Sequence, residues 1–281
     1  MPELPEVETY VRELRPHVVG HQFTSVEVLW PRSIATPDVE TFESLLVGLT
    51  VERLNRRGKY LNFGLDNGSH LLIHLKMSGK LRVELSGCSR QPHDRVLFGL
   101  TGDRQLRFND MRKFGRVYLV AQEEIVTADL GPEPLEANFT LECFASQIKQ
   151  RAATIKPLLL NQTFVAGLGN IYADEVLFRA RIHPQRQANR LADEEIRALY
   201  DAIQDILRQS IERQGTSFDL VYSGGIREAR ATYQLQLQVY GRKGRPCPNC
   251  GYPIERIIVG GRGTHVCPQC QSMRNEQGGK R

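Results

Sequence analysis

Four cysteines near the C-terminus constrain this chain more than any other feature. Cys247 and Cys250 form one C-x-x-C pair, Cys267 and Cys270 form a second, and residues 251–266 lie between them. Two such knuckles at this separation suit one tetrahedral zinc site. Paired disulfides are the alternative. The N-terminus carries no apolar stretch of the kind that directs export, which favours thiols kept for metal. The segment is too short to fold on its own apolar surface. Metal binding, on the order of 10–16 kcal/mol in comparable peptides, is expected to stabilise it. Cys88 and Cys143 stand alone and read as free core thiols.

Upstream of that segment the hydrophobic period changes twice. Val7, Val11 and Leu14 repeat at helical spacing, with Pro16 and Gly20 closing the turn pattern. Alternation then dominates: Phe23–Trp30, Val51–Leu54, Tyr60–Leu65, Leu71–Leu75, Leu81–Leu85, Val96–Leu100, Gln105–Phe108 and Arg116–Val120 read as strands, with a helix at Val39–Leu46. Asp66-Asn67-Gly68 and Thr101-Gly102-Asp103 have hairpin-turn chemistry. Many short strands imply a sandwich or barrel. After Leu130-Gly131-Pro132-Glu133-Pro134 the pattern turns helical, at Thr140–Arg151, Lys156–Gln162, Ile171–Ala180 and Asp193–Arg213. Residues 214–234 are Gly-rich and polar and read as a long loop, and Ser272–Arg281 as a basic disordered tail. The fold class expected is α+β and multidomain: 2–131 β-rich with flanking helices, 132–235 helical, 236–271 zinc-bearing, 272–281 a tail.

The first eight residues, Met1-Pro2-Glu3-Leu4-Pro5-Glu6-Val7-Glu8, offer little to bury before Val7, so no helix core is expected to begin earlier. Their chemistry is richer. Once Met1 is trimmed, Pro2 carries a free secondary amine. An α-amino group has a pKa of about 7.7–8.0, so roughly a tenth is neutral at pH 7. Such an amine attacks an aldehyde-like carbon and forms a Schiff base. Glu3 and Glu6 put carboxylates for proton transfer beside it. The same residues also read as an ordinary terminus, with proline and acids opening a helix.

Cations recur in turns. Arg56-Arg57-Gly58-Lys59 and Asp110-Met111-Arg112-Lys113-Phe114-Gly115 each join two strands, and Gly260-Gly261-Arg262-Gly263 lies at a hairpin tip between the cysteine pairs. Gly167-Leu168-Gly169-Asn170 precedes a helix, whose free N–H groups suit an anion. No third glycine and no βαβ unit support a dinucleotide site. With a formal net charge of +5, these turns suggest one phosphate-binding surface spread over the domains.

Pro2-Glu3-Leu4-Pro5-Glu6-Val7-Glu8, His74-Leu75-Lys76-Met77-Ser78-Gly79, Leu130-Gly131-Pro132-Glu133-Pro134-Leu135, Gly167-Leu168-Gly169-Asn170-Ile171-Tyr172 and the four-cysteine finger occur in one order. The chain, up to Gln271, thereby resembles the bacterial formamidopyrimidine-DNA glycosylases. The resemblance implies an N-terminal β-sandwich, a helix–two-turn–helix domain and a zinc finger. It implies that Pro2 attacks C1′ of a damaged nucleotide, Glu3 helps open the sugar, Lys59 serves β-elimination and Arg262 serves δ-elimination and grips phosphate. His74, His93, Arg151, Lys156 and Asn170 are implied as DNA contacts around the flipped nucleotide. Met77, Arg112 and Phe114 are implied to fill the hole in the base stack. From the residues alone, Met77 and Phe114 read as core. The loop Ser217–Arg230 departs from the turn usual in the family.

The function implied is base-excision repair: a bifunctional glycosylase and abasic-site lyase for oxidised purines such as 8-oxoguanine and formamidopyrimidines. The partner implied is damaged double-stranded DNA. One structural zinc is expected, with no small-molecule cofactor, in a monomer. Two other readings stay open, an oxidised-pyrimidine enzyme of endonuclease VIII type and a catalytically silent DNA-binding protein. Leu4 between the prolines fits the oxidised-purine enzymes better, since endonuclease VIII has glycine there. No apolar run approaches the roughly 18 residues of a membrane span, so a cytoplasmic place with the nucleoid is expected.

Overall fold

Strand alternation in the first 120 residues produces two sheets that share one core. In the computed structural model, which describes residues 1–213 and 237–273, one compact unit holds Met1–Asp129. Its first sheet has the order β1 (Phe23–Val28), β7 (Asp94–Leu100), β8 (Arg104–Asp110), β6 (Gly79–Leu85), all antiparallel. The second has the order β2 (Ile34–Thr36), β9 (Arg116–Val120), β5 (His70–His74), β4 (Tyr60–Leu65), β3 (Val51–Arg57), antiparallel except for β2 with β9. Leu61, Phe63, Leu71, Ile73 and Val117 of one sheet face Val83, Val96, Phe98, Leu106 and Phe108 of the other in a dry core. Helix α2 (Val39–Leu46) adds Phe42, edge-on to Phe98. Asp38 caps it by accepting from Thr41 N–H at 3.0 Å.

The N-terminus departs from expectation. Helix α1 spans Leu4–Val18, and Leu4, Pro5, Glu6 and Val7 are all buried. The start that looked too polar to bury is stabilised by its own acids. Glu3 N–H donates to Glu6 Oε2 at 2.9 Å, and Glu3 and Glu6 complete a reciprocal capping box. Pro5 lies in the first turn, where no N–H is needed. Pro16 does not stop the helix; it falls in the last turn, so the carbonyl it leaves unpaired lies near an end that frays in any case. Arg15 ties α1 to β3 by donating to Leu54 O at 2.8 and 3.2 Å.

Two further expectations are corrected. Cys88 and Cys143 are exposed rather than core residues. Sequence alternation also missed the short pieces that lack a period of their own: β2, α3 (Glu124–Thr127) and two 3-10 turns, Pro31–Ser33 and Ala188–Arg190.

The second unit holds Leu130–Glu212 with the described residues from Leu237 onward. Helices α4 (Leu141–Lys149), α5 (Ile155–Leu160), α6 (Asn170–Arg179) and α7 (Asp193–Glu212) lie within two residues of their expected bounds. Helix α6 packs on α7 and also on β11 (Arg262–Val266), which pairs with β10 (Glu255–Val259) in the cysteine segment. Among the described residues no helix is long and apolar enough to cross a membrane. The loop Ser217–Arg230 lies outside the described residues, as does the tail beyond Met273.

Candidate active site and nucleic-acid interface

The candidate site falls into two sets of residues, one on each unit. In the first unit the reactive candidates surround the start of α1. Pro2 is half-buried, and Glu3 is only 2% exposed. The capping box fixes the backbone of Glu3 and sets its carboxyl on the Glu6 N–H, in the residue that follows Pro2 along the chain. Lys59 sits at the β3–β4 turn, made possible by Gly58 at φ 56°, and is 7% exposed. The preceding Arg56 lies 3.3 Å from Glu8 Oε2, which joins this turn to α1.

His74, at the end of β5, is buried against Tyr60, ring centroids 4.7 Å apart. Its Nδ1 accepts from Lys76 N–H at 2.9 Å, so the neutral ring carries its proton on Nε2. Burial, with the Lys76 and Lys59 charges adding to it, holds the pKa down at about 3. At neutral pH His74 is therefore an uncharged donor of fixed tautomer. Tyr60 is pushed up to about 12 by the same burial and by Tyr118.

The residues expected in the base stack project into solvent. Met77 is 47% and Phe114 46% exposed, so neither is core. The Arg112 guanidinium lies 5.1 Å over the Phe114 ring. Buried Asp110 organises this tip. It accepts from Ser78 Oγ, from Arg112 N–H at 3.2 Å and from Gly115 N–H at 2.7 Å, and so joins the Met77 turn to the Arg112–Phe114 turn. A Cβ on Gly115 would meet Phe108 Cζ at 2.3 Å, so only glycine closes the turn. Lys113, at φ 61°, sets its ammonium 3.9 Å over the Trp30 ring. His93 is exposed with a left-handed backbone, φ 74°.

In the second unit, Gly167 at φ 91° and the extended Gly169 bring the chain to the first turn of α6, where Asn170 stands. Asn170 Nδ2 donates to Gly263 O at 3.0 Å, while its Oδ1 is buried with no hydrogen-bond partner. Arg151 donates to Gln147 O at 2.8 Å and stacks on Phe164 at 5.1 Å. Lys156, expected at the DNA, is placed differently, with a relative exposure of 0%. Its ammonium donates to Asp174 Oδ1 at 2.6 Å and to Thr264 Oγ1 at 2.7 Å. It is a strut between α5, α6 and β11, and its desolvated charge is balanced by Asp174.

The cysteine sulfurs converge. All four Sγ atoms lie within 4.8 Å of one another, with Cys247–Cys270 at 3.8 Å and Cys250–Cys267 at 3.5 Å. A zinc–thiolate tetrahedron has edges of about 3.8 Å, so the four fit one metal. Asn249 N–H donates to Cys247 Sγ and Cys270 N–H to Cys267 Sγ, both at 3.4 Å, as zinc knuckles do. The chain thus carries one structural zinc site. Arg262 is exposed beside the hairpin tip. The tip rests on α5, where a Cβ on Gly260 would lie 2.6 Å from Pro157 Cγ.

Sequence reading missed the acids behind these groups. Asp174 Oδ2 accepts from His265 N–H at 2.8 Å. Glu175 accepts from the backbone N–H groups of Gln238, Val239 and Tyr240 at 2.8–3.0 Å and so anchors the entry to the cysteine segment. Burial pushes Glu175 up, opposed by those three donors. Two acids in a row inside a helix read as solvated, and partners on other elements, 18 to 91 residues away, reveal otherwise.

Comparison with known proteins agrees with this geometry. Residues 1–117 match the formamidopyrimidine-DNA glycosylase N-terminal domain, residues 130–221 the formamidopyrimidine-DNA glycosylase H2TH domain, and residues 244–272 a zinc finger found in FPG and IleRS. The formamidopyrimidine-DNA glycosylase of Pelotomaculum thermopropionicum is 45% identical over 279 residues, 98% of this chain and 100% of the relative. That of Enterococcus faecalis is 44% identical over 282 residues, 99% of each chain. Lactococcus lactis FPG (MutM) in complex with FAPY-dG-containing DNA has a TM-score of 0.89 at 40% identity, covering 96% of this chain and 100% of that one. MutM bound to carbocyclic 8-oxo-G-containing DNA has a TM-score of 0.90 at 40% identity, covering 97% and 100%.

Two outcomes are expected. Phe114→Ala should leave thermal stability within about 0.5 kcal/mol of the parent, as for other exposed sites, while weakening binding to lesion-containing duplex; a loss of about 3–5 kcal/mol in a denaturant melt would return Phe114 to the core. His74 titrates near 6.5 when unfolded and about 3 when folded, so the unfolded chain takes up its proton first. Stability should therefore fall as pH drops from 6.5 towards 3, and His74→Gln should flatten that slope. An identical slope in the two proteins would contradict the buried neutral imidazole.

Proposed function

Because the chain belongs to the formamidopyrimidine-DNA glycosylase family, we propose that Pro2 and Glu3 are its reactive groups and that the loops around them meet the DNA. The protein is a base-excision repair enzyme, a DNA glycosylase with abasic-site lyase activity that removes oxidised purines from damaged duplex DNA. Its solved relatives were captured with Fapy-dG, abasic-site and 8-oxo-G DNA. The observation that carries the assignment of residues is the capped, buried Glu3 immediately following Pro2.

With Met1 attached, the Pro2 nitrogen is an amide and has no nucleophilic lone pair, so removal of Met1 is the first requirement. The freed amine attacks C1′ of the extruded nucleotide. The glycosidic bond breaks, and the base leaves with its electron pair and takes a proton. Glu3 donates a proton to O4′ as the sugar opens, and the proline nitrogen forms an iminium with C1′. The iminium acidifies C2′–H. Loss of that proton expels the 3′ phosphate, with Lys59 assigned to this step. A further proton loss, at C4′, expels the 5′ phosphate, with Arg262 assigned to it. Water then releases the sugar fragment from Pro2.

Binding is assigned to His74, His93, Arg151 and Asn170 on the phosphates. Asn170 Nδ2 carries two N–H groups, and Gly263 takes one. Met77, Arg112 and Phe114 are assigned to the vacated place in the stack, which offsets the few kcal/mol that base extrusion costs. Zinc holds the hairpin that presents Arg262 and takes no part in the chemistry. We place the enzyme with its substrate, on the bacterial nucleoid in the cytoplasm.

An iminium is reducible, which provides the test. Borohydride added during turnover should link the protein covalently to lesion-containing duplex, with the adduct mapped to Pro2 in protein lacking Met1. Glu3→Gln should abolish base release yet keep binding. An adduct on Lys59 with Pro2 unmodified, or full activity in protein that retains Met1, would refute the assignment.

A further inference from the structure

Strand β8 alternates as a half-buried strand should, with Leu106 and Phe108 in the sandwich core. Arg107 lies on the opposite face and ought to be wet, yet it is 1% exposed. It is covered by the loop that connects β6 to β7. Its Nη2 donates to Cys88 O at 2.6 Å and its Nη1 to Ser89 O at 2.8 Å. Beneath the loop the guanidinium meets Glu84 Oε2 at 2.8 Å and Asp94 Oδ2 at 3.5 Å. Arg82, its cross-strand neighbour, completes the cluster, 3.0 Å from Asp94 Oδ1.

The cluster reaches along the loop to its end. Asp94 Oδ2 accepts from Gln91 N–H at 2.9 Å, Asn109 Nδ2 donates to Pro92 O at 2.8 Å, and Asp110 N–H donates to His93 O at 2.9 Å. Backbone groups of Cys88, Ser89, Gln91, Pro92 and His93 are thus all held from the strand side. The held segment ends on an exposed histidine in a left-handed conformation. Burying one arginine and two carboxylates on an outer sheet face, with Arg82 partly covered beside them, gives little net stability compared with apolar packing, but it fixes geometry.

We infer that Arg107 is a positioning residue for DNA binding: with Asn109 it straps residues 88–93 to the sheet and so sets the His93 ring for the phosphate backbone. The inference rests on the reading of His93 as a DNA contact. Arg107→Lys keeps the charge but, with one nitrogen, loses the fork that serves two carbonyls. Asn109→Ala cuts the strap at Pro92 and at Asp94 Oδ1, which Asn109 Nδ2 also reaches at 2.9 Å, and leaves Arg107 with its fork on Cys88 and Ser89 and its ion pair with Glu84.

The test is the affinity of the full-length protein for a duplex with a stable abasic-site analogue. It is measured for His93→Ala, Arg107→Lys, Asn109→Ala and each strap variant combined with His93→Ala, with thermal melts alongside. Each strap variant should weaken binding by about tenfold in the His93 protein and have little further effect once His93 is alanine, the non-additivity of residues acting through one another. Should Arg107→Lys fail to fold, Asn109→Ala decides by the same comparison. Unchanged affinity in a folded strap variant would overturn the inference, as would losses that simply add to that of His93→Ala. Unchanged affinity in His93→Ala itself would overturn the reading of His93, and the inference with it.

Discussion

Buried carboxylates that accept backbone N–H groups underlie five of the segments that shape the candidate sites. Glu6 holds the N–H of Glu3, Asp110 those of Arg112 and Gly115, Asp94 that of Gln91, Asp174 that of His265, and Glu175 those of residues 238–240. A carboxylate taken out of water is costly unless its lone pairs are filled, so each acid tolerates one local arrangement of chain and disfavours the others. Charge-assisted bonds of this kind contribute roughly 1.5–3 kcal/mol each, enough to hold a short loop that has no core of its own. The groups assigned to chemistry and to phosphate are thereby carried on turns that the scaffold has already shaped.

The same device explains why flexible-looking turns can act on a rigid substrate. The tip bearing Met77, Arg112 and Phe114 exposes two apolar side chains that a free protein would ordinarily bury, with an arginine over one of them. Such exposure is tolerable only while the tip does not collapse onto the sandwich. Asp110 beneath it, the Ser78 hydroxyl beside it and the close approach of Gly115 to Phe108 oppose that collapse. In the second unit Lys156 and Asp174 do the equivalent for the zinc hairpin, so a charge that sequence position assigns to DNA serves to join α5, α6 and β11.

What could be read from the sequence follows from the range of each interaction. Strands such as Tyr60–Leu65 and Arg116–Val120 and the helix Val39–Leu46 have the bounds their periodicity implies, because alternation against a core is a local signal. The zinc ligands were legible from spacing alone, and the Asp66-Asn67-Gly68 and Thr101-Gly102-Asp103 turns from their chemistry. Leu4 and Glu6 were not, since the capping box that buries them looks like a charged terminus until Glu3 and Glu6 are seen to satisfy each other. Nor were Arg107, Lys156 and Glu175. Their partners on other elements lie 13 to 108 residues away, and no local pattern marks a charged side chain whose counter-charge arrives from another element.

With Asp110 buried beneath it, the tip assigned to DNA holds its shape before DNA arrives. Amide hydrogen exchange in the free protein, resolved at Arg112 and Gly115, tests it most directly, because both N–H groups point at the buried Asp110 carboxylate. Both amides should exchange slowly without DNA, and adding lesion-containing duplex should change them little. Exchange at the rates of an unstructured chain in the free protein, with protection appearing only on binding, would contradict it.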